Sequence, residues 1–332
     1  MVACFIRQID SPSEGDMYEV IVNPGARSGK AMKLWEKIEK LFAQADMEYR
    51  VNFTQPGMEN ATLIGQLYEE YAAKGEKLNL VLMGGDGTIN EVLQWLPGFD
   101  NVNLTLLPVG SGNDLVRDLL GTTNTMKAAR HFVNSPTGKS ADLGLITLRC
   151  SDAPELSIPK QNFIVSTGIG YDAGICEEVA HTKIKGFLNA IGLGQLSYLI
   201  IALKQLIGLE YCSATLSVDG EQEIKLNNFV LLAGMNHRFQ GGGFMFAPKA
   251  SDEDGRLDLC VVSGVSRPKV LRILPTAKKG GHYRFDGVDF YRGCSYRLKT
   301  DRPLWVHTDG EVRSKADIIE VEIRDEKVNL VY

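Results

Sequence analysis

The chain has 332 residues, 44% of them hydrophobic and 23% charged, which excludes a disordered tail, a collagen and a disulfide scaffold. At roughly 150 residues per domain, it has room for about two domains. Lys plus Arg number 36 against 41 Asp plus Glu; the net charge of -5 speaks against a chain built to coat nucleic acid, though not against a local basic patch on a membrane-facing side.

The 34 glycines exceed the usual share and, with no low-complexity tract, point to special backbone turns of the kind that phosphate-binding loops need. Cys4, Cys150, Cys176, Cys212, Cys260 and Cys294 show no CxxC spacing and read as small apolar residues of a reducing cytosol. The start, MVACFIRQID, lacks a long apolar run behind a basic residue, so no signal peptide is expected.

In chain order, MYEVIVN (17–23) reads as a strand ending at Asn23-Pro24. A helix follows from Ala31 to Phe42, with Leu34, Ile38, Leu41 and Phe42 at helical spacing. EYRVNFT (48–54) is the next strand, and 59–74 the next helix. LNLVLMG (78–84) is a buried strand running into GGDGTINEVL, and LTLLPVGSGNDLVRDLL (104–120) repeats strand, glycine turn and helix. This alternation predicts a doubly wound, Rossmann-like α/β domain over 1–140 with its loops at the carboxyl ends of parallel strands. After Asp142 short alternating runs such as NFIVSTG, ATLSVDG, RLDLCVV and IIEVEI dominate, with Asp-Gly turns at 219, 254 and 309. They predict a mostly antiparallel β domain over 141–314 with a helical insertion near 175–209. The insertion's apolar stretch, 187–209, carries Asn189, Gln195, Lys204 and Gln205 beside a stripe of Leu and Ile. It fits a buried amphipathic helix or a lipid-facing lid rather than a membrane span.

Gly84-Gly85-Asp86-Gly87-Thr88, followed by Ile89 and Asn90, sits where a strand end meets a helix start. Adjacent glycines let backbone amides approach a phosphate, and the helix N-terminus favours its charge. Asp86 is out of place beside a phosphate unless a magnesium ion lies between them or the acid handles a substrate proton; a helix cap is the structural alternative. Gly110-Ser111-Gly112-Asn113-Asp114 is a second such loop. Asn23-Pro24-Gly25-Ala26-Arg27-Ser28-Gly29-Lys30 is a third, but its GxxxGKA spacing is not that of a P-loop.

NPxxxSGK, GGDGTINEVL and LPVGSGNDLVRDL, in this order, resemble the diacylglycerol kinase catalytic domain, in particular the soluble bacterial lipid kinases related to sphingosine kinases. FIVSTGIGYDAGI, GGGFMFAPKASDEDGRLDL and HTDGE extend the resemblance over nearly the whole chain. It implies an α/β nucleotide domain and an antiparallel β-sandwich with the active site in the cleft. It also implies a last strand, near 315–332, that returns to the first domain, and a homodimer. The activity it implies is ATP- and magnesium-dependent phosphorylation of a lipid hydroxyl, by a cytoplasmic protein peripheral to the inner face of the membrane.

By position, the resemblance assigns nucleotide contacts to Asn23, Thr54, Gly84, Gly85, Asp86, Gly87, Thr88, Ile89, Asn90 and Ser111. Asp172 would meet the lipid head group. A structural magnesium would be held by Ser251, Asp254 and the carbonyl of Arg256, a turn that also reads as a solvated Asp-Gly turn. Glu311 is the implied general base, with Asp309 beside it and Asp86 as organiser of magnesium or substrate, although Asp86 is the other candidate base. Taken alone, Asp309-Gly310 is a plain type I′ hairpin turn.

Arg267, Lys269, Arg272, Lys278, Lys279 and Arg284 form a run without acids that suits an anionic membrane or a solvated face. The five histidines show no metal-ligand spacing, and His307, two residues before Asp309, lines the site or packs in the core. Two alternatives stand beside the lipid kinase. One is a soluble-substrate kinase of the NAD kinase or phosphofructokinase type, which GSGND and the 187–209 stretch oppose. The other is a non-catalytic lipid- or nucleotide-binding regulator, which the intact GGDGT and DGE oppose.

Overall fold

The computed structural model describes residues 16–24, 30–54, 60–110, 112–181 and 194–332. The chain divides into two compact units, passing from the first to the second between Leu143 and Gly144 and back between Ile323 and Arg324.

The first unit alternates strand and helix: β1 (Met17–Val22), α1 (Lys30–Gln44), β2 (Glu48–Phe53), α2 (Asn60–Lys74), β3 (Leu78–Gly84), α3 (Asp86–Trp95), β4 (Val102–Pro108), α4 (Asp114–Leu120) and α5 (Thr125–Asn134). The strands are parallel in the order β2-β1-β3-β4. β3 and β4 are buried at every position, the burial expected of a parallel sheet covered on both faces. Trp35, Ile38 and Phe42 bring the apolar stripe of α1 into the core, where Phe42 meets Trp35 and Tyr49 edge-on with ring centroids 6.1 and 5.6 Å apart. Among the described residues of this unit Glu19 and Asp142 lie fully inside, and Asp142 pairs with Lys327 at 2.6 Å. Glu19 on β1 accepts from Tyr71 Oη and Asn52 Nδ2, both at 2.9 Å, and pairs with Arg50 at 2.7 Å. These partners offset its desolvation, while burial, and after it the hydrogen bond to Glu19, raises the Tyr71 phenol above its ordinary range.

β5 (Gly138–Arg149) carries the chain into the second unit. There follow β6 (Ile158–Phe163), β7 (Ser166–Gly170), α6 (Tyr171–His181), α7 (Gly194–Ile207), β8 (Cys212–Val218), β9 (Ile224–Phe229), β10 (Leu231–Met235), β11 (Leu257–Val262), α8 (Arg267–Ala277), β12 (Val288–Gly293), β13 (Ser295–Thr308) and β14 (Glu311–Val331). Pairing is antiparallel in the order β12-β11-β10-β7-β13-β14, and β8 and β9 continue from β13. β13 serves two sheets. Tyr296–Thr300 pair with β8 and Val306–Thr308 with β7, and the irregularity between them holds Pro303.

The sandwich core lies between these layers, where Leu216, Leu226 and Phe229 meet Leu232, Leu259, Val261, Leu298 and Val306. The alternate residues Ala233, Met235, Cys260 and Val262 point the other way and pack on Tyr171, Leu206, Val270 and Ile273 of the helices. Burial there pushes the Cys260 thiol up and keeps it protonated.

The sequence reading ends the β domain at residue 314. β14 instead stays paired with β13 as far as Glu322, and its end then runs parallel to β4 through Asn329 and Leu330. The helical insertion comprises α6 and α7, while 182–193 lie outside the described residues. Among the described residues no helix is long and apolar enough to cross a membrane.

Phe42 is fully buried, so Phe42→Ala is expected to lower stability by about 3–5 kcal/mol. An unchanged urea midpoint would contradict this packing.

Candidate functional site

The first unit places its candidate residues at the carboxyl ends of parallel strands, where open α/β sheets bind ligands. Asn23 follows β1 and is exposed; Thr54 follows β2, is nearly buried, and donates its N–H to Val22 O at 2.9 Å. Gly84 ends β3, and Gly85 caps α3. The remaining loop residues, Asp86 to Asn90, form the first turns of α3, within which Ile89 and Asn90 are fully buried. Ser111 lies outside the described residues, as does 25–29 of the third loop.

The β3–α3 and β4–α4 loops are built against each other. Val109 and Gly110 donate their N–H groups to Gly84 O at 2.7 and 3.3 Å. A Cβ on Gly85 would lie 3.1 Å from Gly110 Cα, and one on Gly110 only 2.8 Å from Gly85 Cα. Glycine is needed at both positions for this backbone-to-backbone approach.

Asp86 closes the arrangement. Its Oδ2 accepts from the Asp114 N–H at 2.9 Å and its Oδ1 from the Leu115 N–H at 3.2 Å. The acid thus caps α4, not the helix it begins. A carboxylate on the free amides of a helix start contributes about 1 kcal/mol and neutralises part of the dipole. Asn113, in the left-handed region at φ 53°, donates from Nδ2 to Gly110 O at 2.8 Å and fixes the turn into α4. Thr88 Oγ1 accepts the Gly85 N–H at 3.3 Å.

In the second unit, Asp309 and Gly310 are the two turn residues of the β13–β14 hairpin, with φ of 53° and 84°, and Thr308 pairs with Glu311 across it. The backbone is the type I′ turn expected of Asp-Gly. Its acid has a further role. Asp309 is buried and accepts the N–H groups of Ile164, Val165 and Ser166 at 3.1, 2.7 and 3.0 Å. Three charge-assisted bonds commit this carboxylate to holding the turn against the chain entering β7. Glu311, two residues on, is exposed. The two acids of the DGE motif therefore occupy opposite environments.

Asp172 lies in the first turn of α6 and is nine-tenths buried. Its Oδ2 accepts from Gln240 Nε2 at 3.0 Å and lies 3.3 Å from His307 Nε2. Both partners are buried. Sequence reasoning left His307 undecided and missed Gln240; only the adjoining Gly241–Gly243 run marks that loop.

The Ser251–Arg256 turn is held by pairings of its own acids. Asp254 Oδ1 accepts the Arg256 N–H at 3.0 Å, and Oδ2 pairs with the Arg292 guanidinium, which also reaches Asp258 at 3.4 Å. Asp252 turns inward to within 3.5 Å of His237 Nε2. Arg292 thus bridges Asp254 and Asp258. Among the described residues no group of acids, histidines or cysteines forms a metal cluster. Burial raises the Asp258 carboxyl, and Arg292 opposes the shift.

The basic run lies on and after α8. Arg267, Arg272, Lys278, Lys279 and Arg284 are exposed, interspersed with exposed Leu271 and Tyr283. α7 packs against α8 and exposes Ile200, Leu203 and Ile207, the last by 76%.

Two family models match the chain in succession. The diacylglycerol kinase catalytic domain matches residues 17–146, and the YegS C-terminal NAD kinase beta sandwich-like domain matches residues 164–331. The chain belongs to the diacylglycerol kinase family. At family level it is a lipid kinase. A diacylglycerol kinase of Mycobacterium tuberculosis is 30% identical over 239 residues, covering 72% of each chain. A diacylglycerol kinase of Bacillus subtilis is 27% identical over 270 residues, 78% of this chain and 81% of the relative. A crystal structure of a diacylglycerol kinase from Bacillus anthracis shares the fold, with a TM-score of 0.69 at 23% identity, covering 97% of this chain and 98% of that one.

The contrast within the DGE motif has a measurable consequence. Asp309→Ala leaves three buried N–H groups without their acceptor and is expected to lower stability by about 3 kcal/mol or more. Glu311→Ala is expected to stay within about 0.5 kcal/mol of the parent. Equal denaturation midpoints for the two variants would contradict the assignment.

Proposed function

We propose that the protein transfers the γ-phosphate of MgATP to a hydroxyl of a membrane lipid such as diacylglycerol. The first unit is the nucleotide-binding domain and the second the lipid-binding domain. Asn23, Thr54, Gly84 to Asn90 and Ser111 hold the nucleotide. Asp86 organises the magnesium that arrives with ATP, or the acceptor, and Asp172 meets the lipid head group. The observation that carries the reading is the pair of glycine loops touching at Gly85 and Gly110 at the strand ends. Such loops bring backbone amides and helix starts to a phosphate without a side chain in the way.

Glu311 is the base because its neighbour in the motif is committed. Asp309 accepts three backbone N–H groups, whereas Glu311 is exposed and open to an incoming hydroxyl. Glu311 takes the proton as the lipid oxygen forms its bond to the γ-phosphorus. The bond from that phosphorus to the β,γ-bridging oxygen breaks, and ADP leaves with the electron pair. Little covalent chemistry falls to the protein, and the rate comes from positioning and charge neutralisation.

The lipid is reached at a membrane surface. The exposed apolar residues of α7 and Leu271 of α8 stand beside exposed Arg and Lys. Apolar side chains with a basic surround suit an anionic bilayer, at about 1 kcal/mol per basic residue near the surface.

Incubating the protein with MgATP and lipid alcohols in mixed micelles, with products resolved by mass, tests the reading. A phosphorylated lipid is expected, with turnover falling by about 100-fold or more in Asp86→Ala and in Glu311→Ala. No product from any lipid, or transfer to NAD instead, would contradict it. Near-full turnover in either variant would remove that residue from its role.

A further inference from the structure

We infer that His307 is a positioning residue that ties the head-group acid Asp172 to the turn carrying Glu311, with Gln240 as its auxiliary. The inference rests on the lipid kinase reading for its consequence but on buried geometry for its content. His307 is fully buried on β13, two residues before the Asp309-Gly310 turn. The Gly310 N–H donates to its Nδ1 at 3.2 Å. A ring nitrogen that accepts a backbone N–H carries no proton of its own, so the neutral imidazole holds its proton on Nε2. Nε2 lies 3.3 Å from Asp172 Oδ2 and donates to it. Gln240 Nε2 donates to the same oxygen at 3.0 Å. One imidazole thus joins the peptide next to Glu311 to the carboxylate at the start of α6.

The backbone makes room for this pair. His307 stands opposite Gly168 in the β13–β7 ladder. A Cβ at Gly168 would lie 2.1 Å from both His307 Nε2 and Asp172 Oδ2. Any larger residue there would enter the space between donor and acceptor. The pairing uses only one side of the acid. Asp172 Oδ1 and Gln240 Oε1 are buried acceptors with no partner among the described residues. Buried acceptors are normally satisfied, and an unmet one marks a place where a ligand donor fits. His307 and Gln240 hold Oδ2, which leaves Oδ1 aimed to accept from a hydroxyl of the acceptor lipid.

Two readouts test the inference. The first needs no activity: nitrogen-15 NMR of the labelled protein reports which ring nitrogen of His307 is protonated. The Nε2–H tautomer is expected, and the Nδ1–H tautomer would overturn the coupling. The second is kinetic. His307→Ala and the wedge variant Gly168→Ala are expected to lower kcat/KM for lipid by about 100-fold while the KM for ATP stays within about twofold, and His307→Gln, which keeps an N–H donor, is expected to recover part of the loss. Wild-type kinetics in His307→Ala, or equal losses for lipid and ATP alongside a lower Tm, would overturn it as a merely structural residue. If His307→Ala does not fold, Gly168→Ala and His307→Gln decide the question by the same criteria. A parent protein that phosphorylates no lipid would sink the lipid reading, and the tautomer would then decide the coupling alone.

Discussion

A single carboxylate links the two glycine loops of the first unit. Asp86 belongs by sequence to α3, yet both of its oxygens accept amides at the start of α4. The contact lets β3–α3 and β4–α4, adjacent units of a parallel sheet, present their loops as one surface. Gly85 and Gly110 follow from it, because two backbones this close leave no volume for a Cβ. The amides of a helix start attract anions wherever they are free.

The second unit uses its acids in the same manner. Asp309 is held by three N–H groups, Asp172 by a glutamine and a histidine, and Asp254 by an arginine. In each case the surroundings assign the role. A carboxylate enclosed by backbone donors stabilises a turn. One that faces a guanidinium ties two strands of the turn's surroundings together. One held on a single oxygen keeps the other for a ligand. Glu311 is the acid of the motif that the fold leaves exposed.

Much of the first unit was legible in the sequence because its signals are local. The apolar run 78–84, the glycine turn and the helix after it are read from neighbouring residues, and β3 and α3 follow them closely. The carboxyl-edge position of Asn23, Thr54 and Gly84 follows once the strands are parallel. The partners of the acids were not legible, since they come from distant parts of the chain. Asp309 finds Ile164 to Ser166, Asp172 finds His307, and Arg292 finds Asp254. No spacing rule foretells that Arg292 meets Asp254. Asp86 read as an organiser of magnesium or substrate, with a cap on its own helix as the structural alternative; its contact with the start of α4 comes from the tertiary approach of that helix. A hairpin strand as long as β14 shows no break in sequence where its partner changes from β13 to β4.

The central claim is that the Gly85–Gly110 approach, locked by Asp86, builds the surface that receives ATP. The direct measurement is calorimetric titration of MgATP into the parent and into Gly110→Ala, with circular dichroism to show that the variant stays folded. Saturable binding by the parent, weakened about 100-fold or more in folded Gly110→Ala, is the predicted result. Equal affinity in the two proteins would contradict the account.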